Sequence, residues 1–156
     1  MEEQIINNTI IVLHNIFSSQ KIIETAKIVY GLGFKNFVIT KAQGSAAQMG
    51  VPEAQKLAMQ KSANLIYLQD LDDAIEILKP SKIFLFVPEG YAKIEYDPQR
   101  IRNALNAGRV MLVFGGAEPG LTRRELEKGE TIYIKGLKDQ TTTGTIAIAL
   151  YLLLFK

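Results

Sequence analysis

The chain has 156 residues, of which 47% are hydrophobic and 22% are charged, and its formal net charge is +2. This length and composition predict one globular domain with a substantial core. The nearly balanced charge gives no whole-chain indication of nucleic-acid binding, so any basic surface must come from local clustering. The absence of cysteine excludes disulfides and thiolate metal sites, and it is compatible with a cytoplasmic location.

The two ends of the chain indicate neither export nor membrane insertion. Residues 1–3, Met-Glu-Glu, are acidic where a signal peptide is basic. The longest apolar run, residues 146–155, is about half of the roughly 20 residues that a membrane-spanning helix needs. We therefore expect a cytoplasmic protein with no membrane segment, and we interpret the apolar run as a helix that is buried or lies at an interface.

The first elements of the chain predict a βαβ unit. Residues 10–13 form a short β-branched run that is typical of a strand covered on both faces. Serines at residues 18–19 can cap the following helix, whose apolar residues recur at helical spacing as far as Gly31. A second strand follows at residues 37–39, and the short turn before it indicates parallel pairing.

The alternation of strands and helices continues to the C-terminus. Further strands are predicted at residues 65–68, 83–87, 110–114 and 131–134, and further helices at residues 52–62, 71–78, 98–105 and from about 143 onward. We find no linker, low-complexity tract or repeat between them. The sequence therefore predicts a single α/β domain over residues 1–156, with a mostly parallel sheet flanked by helices and no separate RNA-binding domain.

Two polar loops follow predicted strands and are candidates for a binding site. The turn at residues 115–121 contains three glycines and a proline, which let backbone amides approach a ligand closely. Open α/β sheets bind ligands at the carboxyl ends of their strands, which favours a site here and at residues 88–90. The alternative is a tight turn whose glycines serve packing. Threonines within residues 141–145 can either cap the last helix or bind polar groups of a ligand.

Other chemistries have little support in the sequence. The single histidine, His14, ends the first strand, where a lone histidine is more often structural than catalytic. No spacing of His, Asp and Glu indicates a metal site, and no Walker A, G-x-G-x-x-G or G-x-S-x-G pattern is present. The basic residues Lys21, Lys27, Arg123 and Arg124 belong either to a solvated face or to a rim that contacts RNA phosphates.

Taken together, these segments resemble the SPOUT superfamily of trefoil-knotted RNA methyltransferases, and within it the SpoU/TrmH-like ribose 2′-O-methyltransferases. The resemblance runs from about residue 10 to residue 153. Asn15 falls on the asparagine that commonly follows the first strand of the family, and Lys27 falls on the arginine of its N-x-G-x-x-x-R pattern. The resemblance implies that Lys27, a flexible point charge, replaces an arginine that assists activation of the ribose hydroxyl.

The second motif of the family matches best. Residues 115–126 match a strand end followed by G-A-E-G-P-G-L and S-x-E-L, with the acidic residue displaced by one position to Glu118. Residues 133–136 take the place of the family's R-I-P-M loop, and residues 141–147 take the place of S-L-N-V-S-V-A. The asparagine of that last motif becomes Thr143.

The resemblance implies a trefoil-knotted, Rossmann-like domain that uses S-adenosylmethionine to methylate a ribose 2′-hydroxyl of tRNA or rRNA. It also implies a homodimer formed through the first and last helices, and an accessory RNA-binding subunit is a further candidate partner. The implied cofactor-binding residues are Val87, Pro88, Gly115, Gly116, Ile134, Gly136, Thr142 and Thr143, the implied catalytic residues are Lys27, Asn15 and Glu118, and the implied RNA contacts are Lys21, Arg123 and Arg124.

Two alternatives stay open on the sequence. The divergent first and third motifs fit a knotted domain that binds S-adenosylmethionine or RNA without catalysing transfer, because a fold does not establish a function. The other alternative is an unrelated nucleotide-binding or nuclease-like α/β protein. Nuclease chemistry needs a cluster of acidic metal ligands, and Asp72, Asp73, Glu76 and Asp97 do not form a convincing one in the sequence.

Overall fold

Seven strands form one sheet at the centre of this computed structural model, which describes residues 1–117, 120–138 and 141–156. The strands are β1 (Thr9–Ile16), β2 (Asn36–Ala42), β3 (Asn64–Leu68), β4 (Lys82–Phe86), β5 (Ile94–Glu95), β6 (Val110–Gly115) and β7 (Glu130–Tyr133). The helices are α1 (Glu2–Asn8), α2 (Ser19–Gly31), α3 (Val51–Gln60), α4 (Leu71–Leu78), α5 (Pro98–Ala104), α6 (Arg123–Leu126) and α7 (Thr142–Phe155). A π-helical turn at Ala46–Gly50 and a 3₁₀ turn at Glu89–Tyr91 complete the elements.

The described strands lie in the order β3-β2-β1-β6-β4-β7-β5, and each neighbouring pair is parallel. The predicted α/β fold with a parallel sheet is therefore confirmed. Because all strands point the same way, the loops that follow β1, β4, β6 and β7 leave the sheet at one edge. This edge, the carboxyl edge, is where open parallel sheets bind ligands.

Both faces of the sheet are covered, as the continuous apolar strands predict. In β1, Ile11 and Leu13 belong to the larger apolar cluster, which contains buried residues of α1, α2, α3, α5 and α7. The alternate residues Ile10 and Val12 belong to the second cluster, together with residues of α4. The period of two along the strand thus divides the side chains of β1 between two hydrophobic layers.

Side chains cap the N-termini of α2 and α5, and the cap of α2 by Ser18 was predicted. The Ser18 hydroxyl accepts a hydrogen bond from the Lys21 amide at the start of α2. Asp97 caps α5 through the Gln99 amide, and Pro98 occupies the first turn, where its missing N–H costs no helical hydrogen bond. The first turn of α2 is thereby fixed at the carboxyl edge of the sheet, next to the end of β1.

Helix α7 is apolar on nearly every side, and it is only partly covered. Ile146 and Leu150 are fully buried, whereas Tyr151 and Phe155 are 56% and 57% exposed and contact each other with ring centroids 4.9 Å apart. Tyr96 donates its hydroxyl to the Ala149 carbonyl at 2.7 Å, and burial raises the pKa of this phenol well above its usual range. Among the described residues, no helix is long and apolar enough to cross a membrane.

The C-terminal end of α7 is held by an arginine of α5. The Arg102 guanidinium donates to the carbonyls of Leu152 and Leu153 in the last turn of α7 at 2.9–3.2 Å. The Leu152 carbonyl also accepts the Lys156 amide, so Arg102 adds a second, charged donor there. We expect Arg102→Met to lower the free energy of unfolding by about 1.5–3 kcal/mol, the range for hydrogen bonds to a charged group. Urea denaturation measures this change.

The matched control is Arg100→Met on the same helix. Arg100 is exposed and makes an ion pair with Glu130 at 3.5 Å. Such surface pairs contribute about 0–1 kcal/mol, so the control should lose clearly less stability. Equal losses in the two variants would contradict the role given to Arg102.

Candidate ligand-binding site

A pocket of about 480 Å³ opens at the carboxyl edge of the sheet, beside the ends of β4 and β6 and the start of α7. Its volume lies within the roughly 300–1,000 Å³ that small-molecule and cofactor sites occupy. The pocket is lined by Lys21, Phe86, Val87, Pro88, Tyr91, Phe114, Gly115, Ala117, Gly120, Leu121, Leu126, Thr141, Thr142 and Thr145.

At Gly115 and Gly116, the first two residues of the glycine turn, there is room for backbone only. A Cβ atom on Gly115 would lie 2.8 Å from the Gly120 Cα, and one on Gly116 would lie 2.7 Å from the Ile16 side chain and 3.0 Å from the Asn15 carbonyl oxygen. The Gly116 amide donates to the His14 carbonyl at 2.8 Å, which fixes the turn against the end of β1. The glycines therefore serve close packing and, at the same time, leave backbone groups facing the pocket.

Two side chains tie other elements to this turn. The Thr142 hydroxyl, in the first turn of α7, donates to the Gly115 carbonyl at 2.9 Å. The Lys21 ammonium, in the first turn of α2, donates to the Gly116 carbonyl at 3.3 Å. The pocket therefore has one cationic side chain among its described lining residues, and that side chain is held at the turn by hydrogen bonding.

Aromatic side chains form an apolar wall of the pocket. Phe86 and Phe114 stack with ring centroids 4.7 Å apart and an interplanar angle of 14°, and both are nearly fully buried. Tyr91, at the rim, is 72% exposed. A flat apolar group can rest on such a wall while polar groups of the same ligand meet the glycine turn and the threonines.

Beside the pocket, His14 makes hydrogen bonds through both ring nitrogens. Its Nε2 lies 2.6 Å from the Glu125 carboxylate, and its Nδ1 lies 2.7 Å from the Thr40 hydroxyl. His14 is fully buried, while the Glu125 side chain is 16% exposed. The second Glu125 oxygen accepts the Thr122 amide at 2.8 Å, and the Thr122 hydroxyl accepts the Glu125 amide, which completes a capping box on α6.

The ends of β1 and β2 share an unusual backbone conformation. Asn15 and Lys41 have φ values of 63° and 53°, in the left-handed region that residues other than glycine seldom adopt. Register pairs His14 with Thr40 and Ile16 with Ala42, so the two left-handed residues lie side by side. Each strand thus has a left-handed residue one position before its last residue, at the carboxyl edge of the sheet.

The structure brings several of the predicted cofactor-binding residues together and separates others from the pocket. Val87, Pro88, Gly115 and Thr142 line it. Gly116, Ile134, Gly136 and Thr143 are not among its lining residues; Gly116 faces the end of β1, Ile134 packs against the larger core cluster, and Gly136 has a left-handed φ of 87°.

Of the three predicted catalytic residues, the structure describes Lys27 and Asn15, and neither lines the pocket. Lys27 is exposed on α2 and does not line the pocket, whereas Lys21, six residues earlier on the same helix, does. Asn15 is half-buried and has the left-handed conformation already described. Glu118 lies outside the described residues.

The predicted RNA contacts Arg123 and Arg124 are exposed on α6, beyond the glycine turn. The pKa of the Asp72 carboxyl is lowered, mainly by the hydrogen bond from Lys128. The positive charges of Lys128 and Arg124 lower it further. Lys128 and Asp72 form an ion pair at 2.8 Å. This part of the surface therefore carries both signs of charge.

Sequence reasoning did not identify the aromatic wall or the buried histidine network. Phe86 and Phe114 stand at the ends of β4 and β6, and their positions next to strand ends are the one sequence signal that could have indicated them. His14 and Glu125 are 111 residues apart, so no local spacing relates them. In the described ranges, no group of three or more His, Asp and Glu residues is placed to hold a metal ion.

Solved structures share this fold over almost the whole chain. A provisionally designated methyltransferase from Bordetella pertussis superposes with a TM-score of 0.77 at 17% identity, covering 99% of this chain and 96% of the other. TrmJ from Z. mobilis gives 0.73 at 13% identity, covering 95% of this chain and 69% of the other. The SpoU methyltransferase AviRb from Streptomyces viridochromogenes, solved with AdoMet, gives 0.69 at 10% identity, covering 92% of this chain and 58% of the other. The fold of this chain is therefore that of SPOUT methyltransferases.

The sequence itself belongs to a family with a different description. Residues 44–152 match the family described as RecB-family nuclease (DUF2122), and the chain is a member of that family. A protein of Aeropyrum pernix is 37% identical over 92% of this chain and 89% of its own length, and one of Methanocaldococcus jannaschii is 37% identical over 90% and 92%. Both relatives are named, provisionally, as type II restriction enzymes.

Proposed function

We propose that this protein is an S-adenosylmethionine-dependent RNA methyltransferase that acts on a ribose 2′-hydroxyl of tRNA or rRNA. The observation that carries the proposal is the pocket at the carboxyl edge of a SPOUT-type sheet. It is lined by the loop after β4, the glycine turn after β6 and the threonines that begin α7. These are three loops that the sequence resemblance assigns to the cofactor.

The lining residues fit such a cofactor. The Phe86–Phe114 wall offers an apolar surface to an aromatic base, while the backbone of the glycine turn and the Thr141 and Thr142 hydroxyls offer hydrogen bonds to polar groups. S-adenosylmethionine, when bound, would supply its sulfonium methyl group to the acceptor oxygen and become S-adenosylhomocysteine, and the proton of the acceptor hydroxyl would pass to water. The contribution of the protein to such a direct transfer is mainly to position the two reactants.

We propose that Lys21 is the cation nearest to the acceptor. It lines the pocket and is oriented by the Gly116 carbonyl, so an electronegative oxygen or phosphate that enters the pocket mouth comes within its reach. Lys27, Asn15 and Glu118 stay as predicted catalytic residues. The Lys27 side chain is exposed on the outer face of α2, so Lys27 could contact only an acceptor that approaches from that face.

The proposed partners follow from the surface. Arg123 and Arg124 contact RNA phosphates, which are bound through charge rather than sequence. The exposed aromatic side chains Tyr151 and Phe155 on α7 favour a homodimer, since an apolar patch of this kind marks an interface. An accessory RNA-binding subunit, a cytoplasmic location and the trefoil knot stay as predictions.

The second candidate function is endonuclease activity, which the descriptions of the family and of its two relatives favour. Metal-dependent cleavage needs clustered carboxylates. The described residues contain no such cluster, and the acidic residues Glu118 and Asp139 lie outside the described ranges. We prefer the methyltransferase because the pocket at the carboxyl edge of the sheet has the size and the mixed polar and apolar lining that such a cofactor needs.

Titration of the purified protein with S-adenosylmethionine and S-adenosylhomocysteine tests the proposal. We expect micromolar binding of both, followed by transfer of a labelled methyl group to bulk RNA. Binding without transfer would favour the inactive, ligand-binding alternative. No binding of either ligand, together with Mg²⁺-dependent cleavage of DNA, would overturn the proposal in favour of the nuclease.

The two lysines of α2 give a matched pair of variants. We expect Lys21→Met to lower the rate of methyl transfer about 100-fold or more, a magnitude typical of removing one group that stabilises developing charge. Lys27→Met removes the same charge from the exposed face of the helix and should change the rate about tenfold or less if it contacts only RNA phosphates. The reverse order would restore Lys27 as the residue nearest to the acceptor.

A further inference from the structure

The network of His14, Thr40 and Glu125 links three elements that are far apart in the sequence. His14 ends β1, Thr40 lies beside it on β2, and Glu125 belongs to the single-turn helix α6. The two side-chain bonds of His14, at 2.7 and 2.6 Å, are short, and the imidazole is fully buried. A buried imidazole with both nitrogens satisfied has a fixed ring orientation.

The hydrogen-bond roles in the network fit either protonation state of the imidazole. In the neutral ring, Nε2–H donates to the Glu125 carboxylate and Nδ1 accepts the Thr40 hydroxyl. In the charged ring, both nitrogens donate, and the Thr40 oxygen becomes the acceptor. Because Nε2–H donates to Glu125 in both states, the bond between β1 and α6 is kept in either state. The Thr40 hydroxyl can donate or accept, so the bond between β1 and β2 is kept as well.

Glu125 connects the fixed imidazole of His14 to the part of α6 that forms one wall of the pocket. One of its oxygens meets His14 and the other accepts the Thr122 amide, the N-cap position of α6. Leu121 and Leu126, on either side of this capping box, line the pocket. The carboxylate therefore ties the helix that forms one wall to the strand that supports the glycine turn.

We infer that Thr40, His14 and Glu125 are positioning residues that hold α6 and the glycine turn in the ligand-binding geometry. The inference rests on the proposed function, since it concerns the affinity of the same pocket for S-adenosylmethionine. None of the three lines the pocket. They act through the placement of Leu121, Leu126 and the turn backbone.

The test compares two substitutions of Glu125 with a control on the same segment. Glu125→Leu removes both acceptors, and we expect it to weaken S-adenosylmethionine binding about tenfold or more in titration calorimetry. Glu125→Gln can accept the Thr122 amide and donate to Nε2, with the His14 proton moved to Nδ1 and donated to Thr40. It should rescue binding to within about threefold of the wild type.

Glu127→Leu is the matched control, because Glu127 is exposed directly after α6 and its replacement removes the same charge. It should bind like the wild type. A purely structural role predicts a lower melting temperature in Glu125→Leu but an unchanged dissociation constant well below the transition. That result, or failure of Glu125→Gln to rescue, would overturn the inference.

A second variant and a ligand-free measurement keep the test decisive. If Glu125→Leu does not fold, Thr40→Val is the alternative variant, because it removes only the hydroxyl that bonds His14 Nδ1. It should still weaken binding about threefold, and wild-type affinity in this variant would overturn the inference.

Hydrogen exchange of the Thr122 amide tests the network without any ligand. Protection in the wild type and Glu125→Gln but not in Glu125→Leu supports the network even if S-adenosylmethionine does not bind, whereas equal protection in all three contradicts it.

Discussion

Replacing Gly129 by alanine is expected to lower the free energy of unfolding by about 3 kcal/mol, at the upper end of the cost of overpacking. A Cβ atom on Gly129 would lie 2.8 Å from the Ile83 carbonyl carbon and 2.9 Å from the Ile83 Cβ, and it would also overlap the carbonyl oxygen. Ile83 belongs to β4, which pairs with β6 on one side and β7 on the other. The strand cannot move aside without disturbing both ladders.

The control for this prediction is Gly31→Ala at the last residue of α2. A Cβ atom there meets nothing within 4 Å, and the residue has no left-handed φ. Alanine is favoured over glycine in helices by about 0.5–1 kcal/mol, so this variant should be neutral or slightly more stable. Urea denaturation with the midpoint and slope fitted separately gives both values. Similar free energies of unfolding for the two variants would contradict the prediction, because β4 would then have moved away from the added methyl group at little cost.

The central strands of the fold were predictable because burial on both faces leaves a continuous apolar pattern. β1, β4 and β6 all have a continuous run of apolar residues, and the structure places them next to one another in the sheet. Elements with weak patterns were missed. Helix α1 buries only Ile5, and β5 has two residues whose pairing with β7 depends on the distant chain.

The candidate site was predictable where it is formed by loop chemistry and not where it depends on contacts between distant residues. The glycine turn and the threonines of α7 stand out in the sequence, and the structure joins them through Thr142 and Gly115. Whether Lys21 or Lys27 faces the pocket depends on how α2 is rotated against the sheet. The pairing of His14 with Glu125 depends on the folded path of the chain between them, which local spacing does not encode.

The second large effect is expected at the pocket itself, where Gly115→Ala should weaken S-adenosylmethionine binding about tenfold or more. The added methyl would lie 2.8 Å from the Gly120 Cα and 3.0 Å from the Gly120 carbonyl carbon. These are backbone atoms, so the turn must open by a few tenths of an ångström or more. Its opening also displaces the Gly115 carbonyl that accepts the Thr142 hydroxyl, and with it the start of α7.

Gly90→Ala is the control, because Gly90 lies in the 3₁₀ turn that carries the pocket residue Tyr91, and a Cβ atom there meets nothing within 4 Å. It should bind the ligand like the wild type, in the same calorimetric titration. Loss of affinity in Gly115→Ala alone would locate the ligand at the glycine turn. Unchanged affinity in both variants would place the ligand elsewhere, because a pocket built on the Gly115 backbone cannot keep its shape when that backbone is displaced.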